Sequence, residues 1–317
     1  MTLLPGLTAC MEDISLDHLR PEPKLVLNSM PTSGEPIKAA VSHTWFYTDP
    51  EPDMRQKEVE IKLYVDDQFI ENLQWAEKED NNPLLRHYRG TYIPKEGDQI
   101  RLKATAAGFK PAEATTRLPS KPEISAFWCE NKNDTVFENG YIHVYLRSIY
   151  HLTLQDPPGQ KDYYMMYIQK KADSDGSEED EDENNWKKAY LDYNSDPVFS
   201  SQLTPFDKIL GYDWVEGYGR AFSDDLFDGT SYTFSINSWT GSNRTRTDET
   251  ARGANYRLVF YRLSPEYYLY LHSIQGQRDN LMADLINAGL AEPIRIYSNI
   301  KGGIGIVGGC SATLKEI

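Results

Sequence analysis

Glu58-Val-Glu-Ile-Lys-Leu-Tyr-Val65 alternates charged and apolar side chains, and Asp66-Asp67 follows it. Period two is the spacing of a strand with one wet and one buried face, and the aspartate pair marks a turn. Downstream, Gly90-Thr-Tyr-Ile-Pro94, the turn Lys95-Glu-Gly-Asp98 and Gln99-Ile-Arg-Leu-Lys-Ala-Thr105 form another alternating pair. Gly108-Phe-Lys-Pro111 then turns into Ala112–Arg117, while upstream Lys24-Leu-Val-Leu-Asn28 opens the series. Short strands at this spacing, without a helical period, predict a small Ig-like antiparallel β-sandwich over residues 24–119.

Leu118-Pro119-Ser120-Lys121-Pro122 interrupts the pattern, because a residue before proline resists continuing either element. A domain boundary is placed there. Residues 120–317 read as a larger β-rich unit with one or two short helices, so the whole chain is classed as mainly all-β. Its expected strands are Tyr141–Ile149, Tyr163–Gln169, Trp186–Asp192, Gly229–Trp239, Asn255–Leu263 and the tail Pro293–Ile300, with Gln155-Asp-Pro-Pro-Gly159 as a turn. One helix is predicted after Ser264, which caps it, with Pro265 and Glu266 in its first turn. No internal repeat is found.

The 317 residues suit two domains of ordinary size. The 33 basic and 48 acidic residues give a net charge of −15, which argues against nucleic acid as a partner. Over half of that excess is the eight acids of Asp173-Ser-Asp-Gly-Ser-Glu-Glu-Asp-Glu-Asp-Glu183, placed between two strands as a long hairpin tip. Asp173-x-Asp175-Gly176 resembles a fragment of a calcium loop, but the twelfth position is Asn184 where an EF-hand needs glutamate. A solvated loop is the simpler reading, and no metal residue is assigned. The 21 tyrosines fit a β-rich core and half-buried sheet faces, with a stacking face for carbohydrate or peptide as the alternative. Gly211-Tyr-Asp-Trp214 and Gly217-Tyr-Gly219 read equally as an exposed stacking loop or a buried corner.

Signals for chemistry are sparse. Gly303-Ile-Gly305-Ile-Val-Gly308 matches the dinucleotide fingerprint, yet the helix, strand and acid that the mechanism requires have no room after it. The glycines are expected to let the backbone pack closely at a sheet edge. The six histidines are scattered, no Gly-x-Ser-x-Gly elbow occurs, and pairs such as Asp224-Asp225 abound in an acidic chain. No catalytic or cofactor residue is assigned. The expectation is a non-enzymatic protein without a cofactor; a glycan- or peptide-acting hydrolase, with acids drawn from separate loops, is the alternative. Three cysteines without Cys-x-x-Cys spacing argue against zinc, and Cys129 and Cys310 read as buried free thiols, with a single bridge between them as the alternative.

No apolar run approaches the ~18 residues of a spanning helix. Leu7-Thr8-Ala9-Cys10 has the small and apolar residues followed by cysteine that a bacterial lipoprotein signal peptidase cuts before. Residues 1–9 contain no Lys or Arg and include Pro5 and Gly6, so either the start is assigned too late for the rest of a secretory signal to be seen or the match is by chance. Residues 1–23 are read as signal remnant and tether, with Cys10 as the lipid-bearing thiol.

With these residues laid out, the chain resembles the domain-of-unknown-function 4249 family of Bacteroidota lipoproteins. The most specific match is Ile296-Tyr-Ser-Asn-Ile-Lys-Gly-Gly-Ile-Gly-Ile306, which looks like the family's closing stretch, although Val307 stands where an aromatic is frequent. Asp156-Pro157 followed by Tyr163-Tyr164, the Phe222-Ser-Asp-Asp-Leu-Phe227 segment, Tyr267-Tyr-Leu-Tyr-Leu271, Lys95-Glu-Gly-Asp98 and Leu118-Pro119 support it. The resemblance implies an anchor at Cys10, an outer-membrane location with the side left open, and a TonB-dependent receptor as partner. It implies no reaction and no ligand. The expected role is an accessory or ligand-binding partner of such a transporter, against a hydrolase or a structural adhesin.

Overall fold

The computed structural model describes residues 17–46, 49, 59–76, 86–138, 141–171, 186–200, 220–240, 255–277 and 295–317. The molecule is mainly β, as the alternation predicts, with strands gathered into two sandwiches.

The first sandwich opens with β1 (Leu25–Ser29), β2 (Lys38–His43) and β3 (Val59–Val65). Then come β4 (Gln68–Asn72), β5 (Gln74–Trp75), β6 (Arg86–Arg89), β7 (Gln99–Ala106) and β8 (Ala112–Arg117). One sheet runs β4-β3-β7-β8 and is antiparallel throughout. The alternation read at residues 58–65 is realised over the described residues 59–65, since Ile61, Leu63 and Val65 are buried while Lys62 and Tyr64 are only partly exposed. Asp66 and Asp67 both adopt positive φ, 47° and 63°, the backbone of a tight two-residue hairpin turn. The facing sheet holds β1, β2, β6 and β5, and Leu25, Leu27, Ala39 and Val41 meet Ile61, Leu63, Ile100 and Leu102 between the layers. Each fully buried Leu, Ile or Val side chain among them contributes roughly 1.5–3 kcal/mol.

Gly90–Pro94 is not the strand that its residues suggest. The strand is β6, four residues earlier, paired with β2 and β5. The Thr91 and Tyr92 N–H groups are taken by the Glu71 carboxylate at 2.8 Å each, so these two donors are satisfied without a neighbouring strand.

The second sandwich follows the same logic with longer strands. It comprises β9 (Glu123–Glu138), β10 (Tyr141–Gln155), β11 (Tyr163–Lys171) and β12 (Trp186–Lys188). A short helix α1 (Pro197–Ser200), β13 (Arg220–Ser223), β14 (Ser231–Thr240) and β15 (Tyr256–Leu263) complete its body. One sheet is β14-β10-β9; the other is β12-β11-β15, with β13 also on β11. Helix α2 (Pro265–Gln277) begins as predicted, Ser264 Oγ accepting the Tyr267 N–H at 3.3 Å. It covers the outer face of the second sheet, where Tyr268 stacks on Tyr163 with centroids 4.3 Å apart.

The tail departs from expectation. Within the described part of Pro293–Ile300, residues 295–300 form no strand. The strands are β16 (Ile304–Val307), inside the glycine cluster, and β17 (Cys310–Glu316) after it. β16 lies parallel to β1 at the edge of the first sandwich, whereas β17 pairs with β15 in the second. The tail assigned to the 120–317 unit therefore contributes a strand to each. Gly305, at φ +113°, fits because a Cβ there would collide with the Leu27 carbonyl oxygen. Asn299 holds the turn, its side chain donating to the Val307 carbonyl at 2.9 Å and accepting the Val307 N–H at 3.0 Å.

The 118–122 segment is stitched down at several points. Ser311 and Thr313 hydroxyls donate to the Pro119 and Pro122 carbonyls at 2.6 Å, and Arg262 Nη1 donates to Ser120 Oγ at 2.5 Å.

Candidate functional site

Two loops cross the same end of the second sandwich from one sheet to the other. Residues 156–162 join β10 to β11, and residues 224–230 join β13 to β14. The first carries the expected proline-rich turn, with Gly159 at φ +89°. The second is folded by its own backbone, the Phe227 N–H reaching the Asp224 carbonyl at 2.7 Å and the Thr230 N–H the Phe227 carbonyl at 2.9 Å. Buried Phe227 pins it, stacking on Tyr232 with centroids 5.1 Å apart. Gly229, at φ +68°, lets the loops touch: a Cβ there would stand 2.9 Å from the Pro158 Cβ.

The crossing collects five carboxylates and two cations. Asp156 is buried, its Oδ1 accepting the Tyr164 hydroxyl at 2.5 Å and its Oδ2 the Gly229 N–H at 2.8 Å. Asp162 is buried in a bidentate pair with Arg262, whose Nε donates to Asp162 Oδ1 at 2.9 Å. Asp224 is 0 % exposed. Its Oδ2 accepts the Asp162 N–H at 2.7 Å, while its Oδ1 accepts no hydrogen bond from the described residues. Among the described residues, the nearest cation to that oxygen is Lys161 Nζ at 3.6 Å, itself in direct contact with Asp225. Burial, with help from neighbouring carboxylates, holds the Asp224 and Asp162 carboxyls above their ordinary value despite the N–H and guanidinium partners. Burial and the bond to Asp156 likewise push the Tyr164 hydroxyl up.

Among the described residues, Asp156, Asp224 and Asp228 form the one group of three or more potential ligand side chains that converge, with oxygens within 4.8 Å of one another. Asp228 is the exposed member. The arrangement suits a hard cation, with oriented carboxylates and no imidazole or thiolate among them.

The anchor, acidic run and aromatic loop proposed from sequence lie elsewhere. Cys10, the acidic run Asp173–Glu183 and the aromatic–glycine stretch 211–219 fall outside the described residues. The glycine cluster serves β16, as the sheet-edge reading expected. Cys129 and Cys310 are free thiols; Cys129 is half-buried and Cys310 buried, and burial pushes each to about 11. Sequence reasoning missed the acidic crossing because its members are 68 and 72 residues from Asp156, counting to Asp224 and Asp228. A joint signal existed. Asp156-Pro157 with Tyr163-Tyr164, and the Phe222–Phe227 segment, both carry the family resemblance, and both meet here.

A family model described as a domain of unknown function (DUF4249) matches residues 12–316. The chain belongs to this family. In DUF4249 terms, both sandwiches and the tail that joins them fall inside the matched region. A search of curated proteins matches none to this chain.

Proposed function

We propose that this DUF4249 protein is a non-enzymatic lipoprotein, acylated at Cys10, that serves as accessory or ligand-binding partner to a TonB-dependent transporter of the outer membrane. The observation that carries this reading is positional. The family match begins at residue 12, so Leu7-Thr8-Ala9-Cys10 stands directly ahead of the matched body, where an anchor belongs. Acyl chains on one thiol supply most of the membrane affinity; a stable anchor takes two or more chains or an added patch.

The architecture favours presentation over turnover. Two sandwiches stitched at residues 118–122 and by the tail give a stiff body on which loops carry recognition. A hydrolase needs carboxylates that a substrate can reach. Here Asp156 and Asp224 are 6 % and 0 % exposed, which suits an ion better than a sugar or peptide.

The test is metabolic labelling with an alkynyl fatty acid of the full-length protein, followed by cross-linking in intact outer membranes. Labelled protein in the membrane fraction, with label abolished in Cys10→Ala, supports the anchor. Unlabelled wild-type protein in the soluble fraction sinks it. Recovery of a TonB-dependent receptor among the cross-linked species supports the partnership, and an anchored protein always recovered alone counts against it.

A further inference from the structure

We propose that Asp156, Asp224 and Asp228 together bind one divalent cation of the calcium type, joining the two loops that cross the end of the second sandwich. A cluster of acids alone would be a solvated surface. What sets this one apart is Asp224, wholly buried, with Oδ1 accepting no hydrogen bond from the described residues. A carboxylate oxygen withdrawn from water is normally satisfied. Lys161 stands 3.6 Å away, but it is half in solvent and already engaged by Asp225.

The charge balance points the same way. Among the described residues, Arg262 is occupied by Asp162, and Lys161 sits on Asp225 while standing 3.6 Å from Asp224, so Asp156, Asp224 and Asp228 have at most that one shared cation among them. The spacing is that of shared ligation. Two oxygens on one ion at about 2.4 Å can stand no more than about 4.8 Å apart, and the three side chains each offer an oxygen within 4.8 Å of the others. The ligands are also aimed. Tyr164 and Gly229 fix Asp156, and the Asp162 N–H fixes Asp224, each leaving lone pairs free. An all-oxygen set without His or Cys selects a hard cation, and the solvent-facing side at Asp228 leaves room for the waters that complete six to eight ligands.

Such an ion would do more than brace a loop. The Asp162 N–H that orients Asp224 belongs to the residue paired with Arg262, and Arg262 also holds Ser120 in the segment between the sandwiches. The cation therefore fastens one end of a chain of contacts that runs to the joint.

The experiment is calorimetric titration of calcium chloride into the full-length protein stripped with chelator, alongside Asp228→Asn and with thermal midpoints measured in parallel. Asp228 is exposed, so the variant keeps its fold, which an unchanged ion-free midpoint verifies. One ion per chain in the wild type, a calcium-dependent rise in midpoint, and at least ten-fold weaker binding in Asp228→Asn are expected. Wild-type affinity and stoichiometry in Asp228→Asn would overturn the proposal, because the ion would then sit elsewhere, as on Asp173–Glu183. No saturable binding up to about 10 mM, beyond the range of weak extracellular calcium modules, would overturn it as well. Magnesium is expected to compete only in large excess; equal potency rejects the calcium assignment.

Discussion

The two sandwiches solve the same packing problem with different side chains. Among the described residues, the first core has one aromatic, Tyr88, in its eighteen buried members, whereas the second has nine. Leu, Ile, Val and Ala carry no polar atoms in their side chains and ask nothing of their surroundings. Aromatic rings bring bulk, and tyrosines bring hydroxyls that must be satisfied. Tyr193 donates to the Met166 carbonyl at 3.0 Å, Tyr164 to Asp156 at 2.5 Å, and Tyr232 to Asp196 at 3.0 Å. Asp196 in turn accepts the Val198 and Ser235 N–H groups. The second sandwich thus carries charge into its interior, and the candidate cation site lies at the edge of that polar network.

The contrast makes the weak points polar in the second sandwich and mild in the first. Arg262→Ala has the largest expected effect. It leaves Asp162 buried without its partner and frees Ser120, and should cost about 3–5 kcal/mol in a urea unfolding titration. Tyr164→Phe removes only an oxygen, yet deprives Asp156 of a donor; about 1–3 kcal/mol is expected by the same assay. In the first sandwich, Glu71 is the comparable carboxylate. Burial opposes its ionisation, but the Tyr92 and Thr91 N–H groups and the Thr91 hydroxyl outweigh that and hold it below the usual 4.5. Because the folded value is depressed, the contribution is complete above the unfolded value and is lost as pH falls through the folded one. Because solvent screens this partly exposed carboxylate, Glu71→Gln should cost no more than about 1 kcal/mol at neutral pH, and thermal midpoints of variant and wild type should converge in acid. The smallest effect concerns the thiols. With Cys129 and Cys310 pushed to about 11, the Cys10→Ala protein at pH 8 should react only slowly with a disulfide thiol reagent and release two equivalents on denaturation. Rapid native reaction at either would contradict the burial described.

Local pattern was legible where local pattern decides. The 58–65 alternation, the Asp66-Asp67 turn, the Lys95–Asp98 turn and the Ser264 cap all depend on neighbours in sequence, and the residues declare them. The fold becomes opaque where partners are distant. Gly90–Pro94 alternates like a strand, but a glutamate some twenty residues upstream captures its N–H groups. β16 is four residues among glycines, and only its pairing with β1 at the other end of the chain makes it a strand. The acidic crossing was hidden for the same reason: Asp224-Asp225 looks like any acid pair until Asp156 is brought beside it. The acidic run, conspicuous in sequence, drew attention that three scattered aspartates could not.

The β1–β16 pairing also reverses the usual order of assembly. β1 leaves the ribosome long before residues 304–307, which close its outer edge. Throughout translation of the intervening chain, that border stays an open row of backbone donors and acceptors, the kind of edge that recruits foreign strands. The first sandwich is consequently synthesised ahead of the second, yet is sealed only once most of the second has been made.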